Sequence, residues 1–144
     1  MAGASLYIAC RFCGYAITLD EIAGASGLPK KDIGRAYRHL VRELGINPPP
    51  FTAKHFAVRL LARFRLRGQT EDMALRLLDK LAEARAAEGC SPVGVAAAAV
   101  YAASLAFSER LTQREIAEKA GVTEVTVRNH FKRIMRSLEI TLYL

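Results

Sequence analysis

Displaced by 94 residues, this chain lies on itself, and that self-match limits its folds more than any other property. Tyr7 falls on Tyr101, Ala9 on Ala103 and Thr18 on Thr112. Without a gap, Glu21, Ile22 and Ala23 fall on Glu115, Ile116 and Ala117. Gly27 then meets Gly121, Ile33 meets Val127, Tyr37 meets Phe131 and Leu40 meets Ile134. Capping, turn-forming and apolar positions all coincide, and these fix where helices start, where they stop and which face they bury. The chain reads as all-α, with a complete five-helix unit at 51–144 preceded by the last three helices of a first unit at 1–46. Asn47-Pro-Pro-Pro50 separates them as an extended, semi-rigid linker, because consecutive prolines cannot continue a helix.

The breaks between helices are written in caps and breakers. Residues 2–12 are apolar and rich in small side chains, and Thr18 with Glu21 is a capping box that opens a short helix ending by Gly27. Pro29 is tolerated in a first helical turn, and Ile33, Ala36, Tyr37, Leu40, Val41 and Leu44 then form an apolar stripe up to Gly45. Thr52 is expected to cap a helix to about Leu66, and Thr70 to open another to about Glu88. Ser91-Pro92 is expected to start a third, over Val93 to Phe107. That segment is mostly alanine, which lets neighbours approach from every side, so it is expected to be the buried axis of the second unit.

The stretch 111–137 reads as a helix-turn-helix. Thr112 and Glu115 form a capping box, Gly121 supplies the positive φ of the turn, and Thr123 caps the second helix. Val127, Phe131 and Ile134 share one face of that helix, while Arg128, Asn129, Lys132 and Arg136 share the other. An exposed basic second helix fits a major groove. The first turns of such a helix reach base edges, so Val125, Thr126, Arg128 and Asn129 are the candidate base readers. Gln113, Arg114 and Lys132 are placed for phosphates. On the equivalent helix of the first unit, Lys30, Lys31, Arg35 and Arg38 form a second basic cluster. Arg59, Arg63 and Arg67, with Arg65 beside them, suggest a third stripe on one helix. Ile140 to Leu144 reads as a short apolar tail.

Composition narrows the function classes. The 144 residues carry a formal charge of +7, a balance suited to a phosphate backbone or another acidic surface. The longest apolar run, Val93 to Phe107, is too short to span a membrane, and the N-terminus lacks the basic region of a secretory signal. Three cysteines argue against a disulfide framework and for a reducing compartment, and with a DNA-binding role the expected setting is cytoplasmic and nucleoid-associated. Cys10 and Cys13 form a C-x-x-C with no second pair to complete a four-ligand zinc site, and the histidines stand isolated, so neither metal nor cofactor is expected. No nucleophile or carboxylate pairs with a histidine at a catalytic spacing, and no glycine-rich phosphate loop occurs, which excludes the common enzyme classes.

Tyr7 to Arg11, Thr18 to Ala23, Lys31 to Leu44, Ser91 to Ser104 and Gln113 to Lys132 together resemble the C-terminal core of archaeal transcription factor B. This is the counterpart of the eukaryotic initiation factor TFIIB, and its repeats are cyclin-like. The resemblance covers essentially the whole chain. It implies a non-enzymatic initiation factor that clamps the TATA-binding protein on promoter DNA and reads the B-recognition element beside TATA. It implies base contacts from Val125 and Arg128, and largely backbone contacts from the first-unit cluster Lys30, Lys31 and Arg35. The full-length family also engages RNA polymerase. The zinc ribbon and reader segment that serve that contact have no counterpart here, and neither does the front of the first repeat. Pro29 stands where the second repeat has its capping Thr123. The incomplete first unit is expected to expose apolar surface, to be the less stable, or to be completed by self-association. Two other readings use the same helices: a cyclin-like scaffold that grips proteins without reading DNA, and a helix-turn-helix repressor.

Overall fold

The computed structural model describes the backbone of residues 1–143 and the side chains of residues 1–138. Among the described residues eight helices occur in order: α1 (Ala2–Cys13), α2 (Leu19–Ser26), α3 (Lys30–Leu44), α4 (Ala53–Arg63), α5 (Gln69–Glu83), α6 (Pro92–Ala106), α7 (Gln113–Ala120) and α8 (Glu124–Tyr143). No strand occurs among the described residues, in keeping with an all-α, cyclin-like repeat architecture. The helices pack as two compact units, 1–51 and 52–144.

In the second unit α6 is the axis. Gly94 to Val100, Ala103 and Ser104 are all buried, and α4, α5, α7 and α8 each pack on this helix. Ala97, Ala98 and Ala99 have no exposed surface at all, so neighbours approach from every direction. A larger side chain there would push a whole helix outward. The one buried hydroxyl on this helix, Ser104, is satisfied by donating to the Tyr101 carbonyl at 2.7 Å. Leu60 and Leu61 of α4, Ala74, Leu78 and Leu81 of α5, Ile116 of α7, and Val127 and Ile134 of α8 close the core around it.

Several boundaries differ from the expectations. Helix α4 stops at Arg63, and Arg65 takes a positive φ of 54°, so Arg67 lies in the following loop and the arginine stripe does not continue along one helix. Thr70 is not a cap. Gly68, at φ 70°, precedes α5, and Thr70 is buried one step inside it. Ser91 and Pro92 do stand where expected, at the N-cap and first helical position of α6, but Ser91 makes no side-chain cap bond. Helix α5 ends at Glu83, and a turn segment fills 84–89. The helix α8 runs on to Tyr143, through most of the expected tail; Leu144 and the side chains from 139 onward lie outside the described residues.

The first unit is smaller. Ala4, Ile8, Ala16, Ile22 and Ile33 are its buried apolar residues, and α1 packs on α2 and α3. Tyr7 meets Tyr37 edge-on with ring centroids 5.1 Å apart. Residues 47–50 are non-helical, as three prolines require, but they are pinned rather than free. Arg11 donates from Nε to the Pro49 carbonyl and from Nη2 to the Pro48 carbonyl, both at 2.8 Å, and from Nη1 to the Tyr37 hydroxyl. A planar guanidinium with five donors suits acceptors that converge in this way. Pro29 is the N-cap of α3 and offers no side-chain bond, unlike its second-unit counterpart Thr123.

Candidate nucleic-acid interface

Helices α7 and α8 make the helix-turn-helix, and its geometry is fixed locally at three points. Thr112 Oγ1 accepts from Glu115 N at 3.1 Å, while a Glu115 carboxylate oxygen accepts from Thr112 N at 2.8 Å, closing the capping box. Gly121 takes φ 74° and returns its N–H to the Ala117 carbonyl, a left-handed stop in which a side chain would be strained. Thr123 Oγ1 then accepts from Thr126 N at 3.1 Å and starts α8.

Orientation of α8 follows from its buried face. Val127 and Ile134 are buried, and Phe131 meets Tyr101 edge-on at 5.0 Å. The opposite stripe, at positions i, i+3, i+4 and i+7, is Val125, Arg128, Asn129 and Lys132, all exposed. Val125 is 56% exposed, an unusual position for a large apolar side chain in the first turn of a helix, and it takes no part in the core. Arg114 also faces solvent, paired with Glu118 at 3.5 Å.

Two of the sequence-derived site residues sit differently. Thr126 is half-buried: its hydroxyl bonds to Thr123 Oγ1 at 2.8 Å, and its methyl lies where a Cβ on Gly94 would come within 3.1 Å. It faces α6 and the cap rather than the outer stripe, because position 126 falls about 100° from Val125 around the helix. Gln113 is half-buried, and its Oε1 accepts from Arg128 Nε at 3.3 Å, so its side-chain carbonyl is directed at an arginine.

From the sequence, Glu124 is an acidic residue favoured at a helix N-terminus with no recognition role, His130 an isolated histidine and Gly94 without any assignment; the structure gives all three contacts. Glu124 Oε1 accepts from Arg128 Nη2 at 3.3 Å, an i,i+4 pair that spacing alone could have suggested. The His130 ring packs on Gly94, where an added Cβ would sit only 2.6 Å from the ring; no local pattern announces that contact. Burial, with the Arg133 charge beside it, holds the His130 imidazole below its ordinary pKa.

The first unit carries a second basic cluster on α3. Lys31, Arg35 and Arg38 are exposed there, and Lys30 pairs with Asp20 at 3.2 Å. Cys10 is partly buried and Cys13 exposed, and no group of three metal-ligating side chains occurs among the described residues. No described helix is long and apolar enough to cross a membrane.

Residues 46–137, most of the chain and all of the helix-turn-helix, match the transcription factor TFIIB repeat. The chain belongs to the TFIIB repeat family. Over all 144 residues it is 44% identical to the transcription initiation factor IIB of Methanosphaerula palustris, covering 43% of that protein. The same identity holds against the factor of Archaeoglobus fulgidus, of which 44% is covered. Against that of Methanocaldococcus jannaschii it is 46% over 140 residues, covering 97% of this chain and 21% of the relative. The chain thus spans less than half the length of these relatives. The likeness to them includes the first unit, whereas the TFIIB repeat match begins at the proline segment. The family model and these relatives are named as transcription factors, not as enzymes.

Proposed function

We propose that this chain acts in transcription initiation as the promoter-binding core of a factor IIB. In this reading α8 enters the major groove at a B-recognition element beside TATA, next to a TATA-binding protein already on the DNA. The observation that carries it is the outer stripe of α8. A helix anchored on three inner residues offers an apolar side chain, a guanidinium, an amide and an ammonium group at its solvent-facing N-terminal half. A recognition helix needs those chemistries. Val125 can press on a thymine methyl, Arg128 can donate two parallel bonds to guanine O6 and N7, and Asn129 can bond a base edge. Lys132 and Arg114 then meet phosphates, while Thr126 sets the angle of the helix from its inner flank. Lys30, Lys31 and Arg35 of the first unit grip backbone elsewhere on the duplex. Relatives that bear the name transcription initiation factor IIB over the whole length of this chain support the same role.

Binding to a purine-rich element abutting a TATA box, with and without TATA-binding protein and across a salt series, tests the reading. Arg128→Ala is expected to cost roughly 1–3 kcal/mol and to relax preference at one base pair. Lys132→Ala should weaken all sequences alike and lower the salt slope by about one. Wild-type affinity indifferent to the element's sequence would sink the proposal.

A further inference from the structure

We propose that Glu124 and Gln113 are positioning residues that hold the Arg128 guanidinium so that only its tip faces the base edges. The proposal rests on the base-reading role given to Arg128 above. A guanidinium has two forked edges that can bind a base or a phosphate: the side formed by Nε and Nη2, and the tip formed by Nη1 and Nη2. Here the side edge is occupied. Gln113 Oε1 accepts from Nε and Glu124 Oε1 accepts from Nη2, each at 3.3 Å. The tip, with one outward proton on each terminal nitrogen, is the edge left to match guanine O6 and N7 in parallel.

The two supports come from different helices. Gln113 is the first residue of α7, whose start is locked by the Thr112–Glu115 capping box. Glu124 is the first residue of α8, one turn before Arg128. The arginine is therefore braced across both members of the helix-turn-helix, and its direction follows from their crossing rather than from its own rotamer preference. Arg128 and Glu124 are 45% and 46% exposed, so in water the pair is weak. Docking against DNA would remove water from it and strengthen it. The Glu124 carboxylate also repels phosphate oxygens, which discourages Arg128 from swinging out to the backbone. The expected consequence is a specificity effect of opposite sign to that of an ordinary cation: loss of Glu124 raises non-specific affinity and lowers discrimination.

The test compares affinities of the whole chain, with TATA-binding protein present, for a promoter duplex carrying the purine-rich element and for one with its guanines replaced by 7-deazaguanine. Random duplex serves as the non-specific reference, and helicity is checked by circular dichroism. Glu124→Ala should lower the guanine-to-deazaguanine ratio by about tenfold while tightening binding to random duplex. Glu124→Gln, which keeps an acceptor at the same place, should retain most of the ratio, and Gln113→Ala should lower it about threefold. An unchanged ratio in Glu124→Ala and Gln113→Ala, with Arg128→Ala still lowering it, overturns the positioning role alone. A ratio that Arg128→Ala does not change overturns the base-reading role on which it rests. Should Glu124→Ala lose helicity, Glu124→Gln and Gln113→Ala carry the test, and loss of the ratio in Glu124→Gln then counts against an acceptor-based brace.

Discussion

Helices α2 and α3 of the first unit repeat the frame of α7 and α8 in the second, and the two pairs differ in face. Helices α2 and α7 are both eight residues long, their threonine caps Thr18 and Thr112 accept from Glu21 N and Glu115 N, each at 3.1 Å, and their stop glycines sit at φ 72° and 74°. The aromatic pairs related by the 94-residue displacement, Tyr7–Tyr37 and Tyr101–Phe131, are both edge-on, at 5.1 and 5.0 Å. The outer faces diverge under the same displacement. Where the second unit has Val125, Arg128, Asn129 and Lys132, the first has Lys31, Gly34, Arg35 and Arg38. Gly34 offers no side chain at the braced-arginine position, and the Arg38 guanidinium reaches back beside it. The brace is gone too, Lys30 standing in the place of Glu124 and pairing with Asp20 instead. A face of flexible cations around a bare glycine suits phosphates, which ask for charge and little direction; a fixed fork beside an apolar contact suits bases.

The units also differ in how much they bury. The second unit surrounds α6 with helices on every side, while the first leaves Leu6, Phe12, Tyr15, Leu28 and Leu44 each at least half exposed. The largest expected effect follows from this. In a monomer of the chain as it stands, amides of α1–α3 should exchange about a thousandfold faster than those of α4–α6, read by native-state hydrogen exchange. Equal protection in both units would break the comparison, and protection that rises with protein concentration would instead point to self-association of the first unit.

Two substitutions sharpen the contrast at smaller scale. Gly94→Ala forces a methyl into the His130 ring and should cost the second unit about 1–3 kcal/mol in a denaturant titration, offset in part by alanine's better helix propensity. Because Thr126 lies on the same glycine, the substitution should also weaken reading by α8 and leave first-unit exchange unchanged. Arg11→Ala removes the donor that ties Pro48, Pro49 and Tyr37 together. It should cost about 1–2 kcal/mol, confined to the first unit. Its counterpart under the displacement, Leu105, carries no such latch and is nearly half exposed, so Leu105→Ala should cost far less.

The smallest effect is set by pH. Burial keeps His130 neutral in the folded second unit, so its folded pKa lies below the unfolded value of 6.5. The unfolded chain then binds the proton more readily, and the second unit should lose stability as pH falls through 6.5 toward that lower folded value, with none of this contribution lost above it. Thermal melts of the wild type and His130→Gln across this range should converge at low pH and separate above it.

Caps, stops and stripes were legible in the sequence because each acts within four or five residues: Thr112 with Glu115, Gly121, and the alternation of Val127 and Phe131 with Arg128 and Lys132 all declare themselves locally. The linear pattern misled where a local signal competed with packing. Thr70 has the spelling of a cap, but Gly68 makes the turn first and draws it into the core. Four arginines in 59–67 suggest one stripe, but the positive φ at Arg65 ends the helix among them.

By itself, then, the sequence determined the all-helical architecture, most of the helix caps and stops, and the cations that α3 and α8 display, since backbone caps and 3.6-residue periodicity need no distant partner. The tertiary structure alone decided which of those cations is held and in what direction. Gln113 and Arg128 are 15 residues apart and meet only because the turn at Gly121 folds α7 beside α8. His130 and Gly94 are 36 residues apart and touch only because α6 is narrow enough to admit the ring. Contacts of that kind depend on helix crossings fixed by the whole core, which no local run of residues specifies.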